Sequence, residues 1–265
     1  MIGAIIGDIV GSVYEFNNIK TKDFELFKKN CFFTDDTVMT IAIGRALLDW
    51  KNKYGELPDK AKESMRKLGR IYPNAGYGHH FYRWLFSDDP KPYGSYGNGA
   101  SMRVSACGVV GKTLQEVIDI SRMVTEITHD HPDGIKAAEA TAVAVFLARN
   151  GKSKEEIQKH IIDNYYPLDF TLDGIRKDYV FDATALGTTP QALKAFFEST
   201  CFEDAIRCAI SIGGDSDTIG AITGAVAGAY YGIPREQSDK AREYLDDFLL
   251  HLLEDFEKAY PPKII

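Results

Sequence analysis

Apolar residues recur at three- and four-residue intervals along most of the chain. Leu114, Val117, Ile118 and Ser121 share one face of a helical register. So do Phe202, Ala205, Ile206 and Ala209, and again Leu245, Phe248, Leu249, Leu252 and Phe256. Three segments read as capping boxes, in which side chain and backbone satisfy each other's free donors: Thr113-x-x-Glu116, Ser153-x-x-Glu156 and Thr200-x-x-Glu203. Pro190, after Thr189, suits a first helical position. Sustained two-residue alternation is scarce, so the pattern predicts an all-α fold of roughly a dozen helices in one domain. Thr37 to Trp50, Ile135 to Ala148 and Thr218 to Tyr231 are apolar nearly all round, as helices buried on every side are. Gly3, Gly7 and Gly11 recur every fourth residue, as do Gly220, Gly224 and Gly228. In a helix each set forms a stripe that lets another backbone approach.

Two stretches interrupt this pattern. Tyr72 to His80 and Ser87 to Gly99 concentrate the residues that make turns, and both read as loops. No linker, tandem repeat or low-complexity tract divides the chain. The most apolar run, Ile219 to Ile233, falls short of the ~20 residues a membrane span needs. Met1 to Gly11 lacks a basic leader and is interrupted by Asp8, so a secretory signal is not expected. Cys31, Cys107, Cys201 and Cys208 form no close pair, which fits a reducing, cytoplasmic setting rather than zinc or disulfides. The net charge of −7 argues against bulk binding to nucleic acid or anionic membrane.

The chemical signal lies in two acidic clusters, Thr34-Asp35-Asp36-Thr37 and, after Gly213-Gly214, Asp215-Ser216-Asp217-Thr218. Each opens one of the all-round apolar helices. Simple N-capping needs one such residue, whereas each cluster supplies two carboxylates as well as hydroxyls. Adjacent carboxylates repel unless a positive charge lies between them. The four aspartates carry −4, which two divalent cations would cancel. Oxygen-only donors suit Mg²⁺, Mn²⁺ or Ca²⁺ rather than Zn²⁺. Asp215-x-Asp217-Thr218 also has the form of a haloacid-dehalogenase phosphatase motif, but it lies late in a helix-rich chain. An EF-hand fails because Ile219 and Val226 stand where acidic ligands belong.

These motifs resemble those of the ADP-ribosylglycohydrolase family, which includes the dinitrogenase-reductase-activating glycohydrolase and the ADP-ribosylarginine and ADP-ribosylserine hydrolases. The resemblance runs in register from Gly3-Ala4-Ile5-Ile6-Gly7-Asp8 through Gly11-Ser12 to Glu15, then Thr34 to Thr37. It continues with Ser95-Tyr96-Gly97-Asn98-Gly99-Ala100-Ser101-Met102-Arg103, Thr128-His129 and Gly213 to Thr218. It implies an all-α fold with two divalent cations, Mg²⁺ or Mn²⁺, held by Thr34, Asp35, Asp36, Asp215, Asp217 and Thr218. Glu15 and Asp36 become the acid–base pair, in either order. Gly76, Gly78, Ser95, Tyr96, Gly97, Asn98, Gly99, Met102 and His129 become the ligand-binding set, with Ser95 to Gly99 cradling a diphosphate through backbone N–H groups. The implied partner is ADP-ribose or an ADP-ribosylated substrate, with the chain acting as a monomer. A non-catalytic ADP-ribose-binding relative and a metal-dependent phosphoryl hydrolase stand as alternatives. Ala75, His79 and His80 depart from the family's usual residues. For other positions the structural reading is preferred: Asp8 as a helix anchor, Arg103 in a buried ion pair, and His131, His160 and His251 as scaffold. The run from Phe81 to Phe86 reads as core or rim, with Tyr93 or Tyr96 free to stack on a base.

Overall fold

The computed structural model describes residues 1–51 and 56–265. Among the described residues fourteen α-helices follow one another: α1 (Ile2–Gly11), α2 (Asp35–Lys51), α3 (Leu57–Ile71), α4 (His79–Phe86), α5 (Ser105–Val110), α6 (Leu114–Thr125) and α7 (Pro132–Arg149). After these come α8 (Lys154–Asn164), α9 (Leu172–Arg176), α10 (Ala185–Glu198), α11 (Phe202–Ser211), α12 (Ser216–Tyr231), α13 (Arg235–Arg242) and α14 (Asp247–Ala259). Among the described residues there are no strands, only isolated bridges such as Gly97 with Thr184. Among the described residues no helix is long and apolar enough to cross a membrane. The helices beyond a dozen are short ones such as α5 and α9, which span too few turns to show a period.

The glycine stripes set the architecture. A Cβ built on Gly7 would lie 1.9 Å from the Gly220 carbonyl oxygen, one on Gly3 would lie 2.3 Å from that of Gly224, and one on Gly11 would lie 2.5 Å from the Asp217 Cα. The pairing order shows that α1 and α12 run antiparallel with their backbones in contact. The end of α1 therefore meets the start of α12, which brings the loop bearing Glu15 to the Asp215–Thr218 cluster. Helix α12 is buried from Ser216 through Gly228 and contributes to two apolar clusters, a large one through Ala221, Ala225 and Val226 and a smaller one through Ile219 and Ile222.

Local signals hold in part. Ser153 and Glu156 form the full capping box. Thr113 accepts from the Glu116 N–H, but the Glu116 carboxylate reaches the N–H of Lys112 instead of that of Thr113. The third box is displaced by one residue: Cys201 caps α11, and Asp204, rather than Glu203, bonds back to Thr200. Pro190 does not start a helix. It lies inside α10, which begins at Ala185 after the Thr184 cap, where burial of the surrounding face outweighs one missing hydrogen bond. Phe248 is exposed, while Leu249, Leu252 and Phe256 face the core.

Candidate active site

Asp8 is fully buried in α1, where an unpaired carboxylate would be costly. It accepts from the Thr34 N–H and Oγ1 (3.0 and 2.7 Å) and from the Thr37 N–H (3.0 Å) and hydroxyl. These bonds tie α1 to the start of α2, the anchoring role the sequence favoured. The Thr34 Oγ1 in turn accepts from the Asp36 N–H (3.3 Å), so Thr34 caps α2 and leaves Asp35 and Asp36 free of that duty. Asp215 occupies the N-cap position of α12, yet its side chain makes no cap bond and its Oδ2 accepts from the Asn98 amide at 2.7 Å. Capping therefore accounts for neither acidic cluster.

The clusters meet. Thr218 donates to Asp36 Oδ2 at 3.2 Å across 182 residues of sequence. Glu15, Asp215 and Asp217 each bring a carboxylate oxygen within 4.8 Å of the others, an arrangement able to hold a metal ion. Among the described residues no Lys or Arg forms an ion pair with Asp8, Glu15, Asp35, Asp36, Asp215 or Asp217. Burial is the chief reason their acidity is suppressed, with the neighbouring carboxylates adding to it. Asp35, Asp36 and Asp217 are held well above the usual carboxylate range, Asp215 is raised to about 6, and Glu15 to about 8. The Asp36 Oδ1 is buried without a hydrogen-bond partner among the described residues. Crowded hard-oxygen donors, no balancing cation and one orphaned oxygen fit divalent metal.

These acids form one wall of a cavity of about 480 Å³. Glu15, Asp35, Asp36, Asp215, Asp217 and Thr218 all reach it. The glycine-rich side supplies Gly76, Gly78, Ser95, Gly97, Asn98, Gly99, Met102 and His129. Thr34 and Tyr96 do not line it. Thr34 is occupied with Asp8, and Tyr96 is exposed beside His131. Not every backbone donor of the Ser95–Gly99 loop is free: the Asn98 N–H bonds to the Ala183 carbonyl (2.9 Å) and that of Gly97 to Ser95 Oγ (3.3 Å).

Arg103 overturns its expectation. It is 1% exposed, and among the described residues it has no carboxylate partner. Its Nη2 donates to Thr128 Oγ1 at 2.7 Å, while Nε has no partner. A buried guanidinium on a cavity wall with an unused donor is suited to an anion. The Thr128 hydroxyl also lies 2.8 Å from His129 Nδ1. The Thr128 hydroxyl faces the Thr125 carbonyl too, at 3.4 Å, and the Nε2 of His129 lies on the side of Gly97 and Gly99. Burial first, and the Arg103 charge second, keep His129 neutral, well below its ordinary pKa.

The sequence did not single out Asn18, Lys20 or Phe181. Asn18 clamps the Glu15 loop to Gly214, and Lys20 Nζ donates to the carbonyls of Ile212 and Tyr179 (2.5 and 2.6 Å). Gly213 and Gly214, at φ +71° and +76°, let the chain turn under these side chains. Phe181 lines the cavity beside Phe16.

The model of the family described as ADP-ribosylglycohydrolase matches residues 1–262. ADP-ribosylhydrolase ARH3 of Xenopus tropicalis is 27% identical, covering 93% of this chain and 91% of that protein. ADP-ribosylarginine hydrolase Tri1 of Pseudomonas putida is 26% identical, covering 88% of this chain and 70% of that one. A solved structure described as an ADP-ribosylglycohydrolase-related protein complex shares the fold, with a TM-score of 0.72, 23% identity, and coverage of 97% of this chain and 95% of that one. Whole-length agreement of sequence and fold makes this chain a glycohydrolase enzyme. It belongs to the ADP-ribosylglycohydrolase family.

Proposed function

We propose that this enzyme hydrolyses the glycosidic bond joining ADP-ribose to a modified protein side chain or a small conjugate. The observation that carries the reading is one cavity lined both by Glu15, Asp215 and Asp217, clustered with no cationic partner among the described residues, and by a buried Arg103 with no carboxylate partner there. The names of the relatives, an ADP-ribosylhydrolase and an ADP-ribosylarginine hydrolase, supply the substrate class. Asp35, Asp36, Asp215, Asp217 and Thr218 would hold two divalent cations, Mg²⁺ or Mn²⁺, with Thr34 supporting them. Such ions, when bound, supply countercharge and Lewis acidity for the ribose hydroxyls.

The chain's own groups do the rest. Arg103 and His129 bind the diphosphate, and Gly97 and Gly99 leave room for it to approach. In the hydrolysis the bond from the anomeric carbon to the leaving atom breaks, water oxygen takes its place on that carbon, and a water proton ends on the leaving atom. Glu15 and Asp36 are the groups that move these protons. Burial and the charges of Asp217 and Asp8 raise the Glu15 carboxyl in the metal-free chain to about 8, and bound cations lower it again, so Glu15 and Asp36 share the acid and base roles in either order. The test is release of ADP-ribose from arginine-, serine- and acetyl-linked substrates with Mg²⁺ or Mn²⁺ and its loss in Glu15→Gln. No release from any of them overturns the reading. Calorimetry showing tight ADP-ribose binding without turnover would assign a binding role. Phosphate release from a generic ester without ribose products would assign a phosphoryl hydrolase.

A further inference from the structure

We infer that Phe16 and Phe181 form the leaving-group subsite of this cavity, and that the pair selects a flat, delocalised cation such as a guanidinium over an aliphatic hydroxyl. The inference rests on the glycohydrolase reading above. Phe16 is 80% exposed and Phe181 47% exposed, yet their rings are stacked, with centroids 6.0 Å apart and planes at 24°. Both line the cavity. A single exposed phenylalanine is ordinary, but two exposed rings stacked on the wall of a polar cavity contribute little core burial and need another reason.

Their placement relative to the acids supplies that reason. Phe16 directly follows Glu15. Asn98 bonds to Asp215 through its side chain and, through its N–H, to the Ala183 carbonyl two residues past Phe181, and its loop leads to Gly97, Gly99, His129 and Arg103, the groups suited to a diphosphate. A substrate anchored there with its scissile bond at Glu15 has its leaving group beside Phe16, the next residue, and Phe181, which stacks on it. The rings are held in place. Asn18 fastens the backbone of Glu15, Lys20 holds the Tyr179 carbonyl, and the Thr184 N–H closes onto Asp182 Oδ1 at 2.8 Å, just past Phe181.

The chemistry of this wall is selective. A guanidinium offers a planar face to a ring and a charge that is attracted by the ring quadrupole. A serine-type leaving group offers one methylene and no face. The rings therefore favour release of a flat cation and give an aliphatic hydroxyl almost nothing.

The experiment compares kcat/KM for arginine-linked and serine-linked ADP-ribosyl peptides of the same sequence in the wild type, Phe16→Ala, Phe181→Ala, the double variant and Phe16→Trp. The arginine-to-serine ratio is expected to fall about tenfold in the double variant and to be kept by Phe16→Trp, as an exposed cation–ring contact predicts. Calorimetry with ADP-ribose and Mg²⁺ should give the same affinity in all five proteins, because ADP-ribose carries no leaving group. A separate titration with agmatine, with ADP-ribose present, should show binding to the wild type and its loss in the double variant. An unchanged ratio, or a fall in ADP-ribose affinity with the rings removed, overturns the subsite. If no substrate is cleaved at all, the glycohydrolase reading fails. The agmatine titration then decides the subsite alone, and absence of agmatine binding overturns it.

Discussion

Asn18 and Gly214 exchange two hydrogen bonds: Asn18 Oδ1 accepts from the Gly214 N–H at 2.7 Å, and Nδ2 donates to the Gly214 carbonyl at 2.9 Å. The same Nδ2 lies 2.7 Å from the Tyr14 carbonyl and 2.9 Å from that of Glu15, so two hydrogens serve three acceptors. One side-chain amide thus sets the backbone carrying Glu15 against the backbone carrying Asp215. Asn18→Ala leaves the Gly214 groups unpaired in a partly solvated place, a loss of about 1–2 kcal/mol in stability. Because the Glu15–Asp215 spacing depends on the clamp, activity is expected to fall about tenfold or more beyond what that destabilisation explains. Asn18→Asp keeps the acceptor, loses the donors and adds a like charge near the acids, so it should be worse than alanine. Rates and urea unfolding measured on the two variants check this, and an aspartate variant as active as wild type would sink it.

Gly7 and Gly78 separate a packing glycine from a ligand glycine. A Cβ on Gly7 meets the Gly220 carbonyl oxygen at 1.9 Å, against backbone that cannot yield without parting α1 from α12. Alanine gains at most ~1 kcal/mol of helix propensity there. Overpacking costs about 1–3 kcal/mol and more where backbone is struck, so the clash wins. Gly7→Ala is expected to lose at least about 3 kcal/mol or not to fold. A Cβ on Gly78 meets nothing within 4 Å and would project beside the cavity Gly78 lines. Gly78→Ala should therefore stay within about 1 kcal/mol of wild type while weakening ADP-ribose binding. Denaturation and calorimetry on the pair distinguish the roles, and equal stability losses would refute the contrast.

Arg103 gives a prediction of opposite signs for stability and binding. Its guanidinium is buried with one bond to Thr128 and no carboxylate partner among the described residues, so the folded ligand-free protein bears a desolvation penalty. Burial, more than any neighbouring charge, lowers its pKa to about 10, which leaves it charged at neutral pH. Replacing an uncompensated buried charge with an apolar residue of similar length is often neutral or stabilising. Arg103→Met is expected to match or exceed wild-type stability within about 1 kcal/mol while losing about 10- to 100-fold in ADP-ribose affinity. A large drop in melting temperature with unchanged affinity would show that Arg103 is scaffold.

Much of this was legible in the sequence, and the reasons differ residue by residue. The four-residue glycine spacing encoded the α1–α12 contact because only a residue without a Cβ permits it, and the two Thr–acid clusters were visible because each exceeds what a helix cap needs. Pro190 misled because burial within α10 overrides local propensity. Arg103 misled because a buried guanidinium is ordinarily paired with a protein carboxylate, and here the residue lines a cavity instead. Asn18 and Phe181 left no local mark. The Asn18 clamp spans 196 residues of sequence and uses main-chain partners, which any residue type supplies. Phe181 matters only through where the segment before α10 places it.

The carboxylate cluster makes stability depend on pH and metal together. In the unfolded chain these acids titrate near their ordinary values of 3.8 for Asp and 4.5 for Glu. In the folded, metal-free chain burial raises Asp8 and Asp215 to about 6 and Glu15 to about 8. The native state then binds more protons than the unfolded state between these limits, so unfolding free energy declines as pH rises through the window. Below the unfolded pKa values the penalty is absent, and above the folded ones it is complete. A divalent cation takes the place of the protons and favours the ionised form, so its stabilisation should grow with pH. The chelator-treated protein is therefore expected to melt lower at about pH 8 than at about pH 5, and Mg²⁺ or Mn²⁺ should raise the melting temperature most at the higher pH. Thermal melts across that range with and without metal provide the check. A metal-free melting temperature that rises with pH, or no response to either ion at the alkaline end, would mean that the acids are balanced by something other than a bound cation.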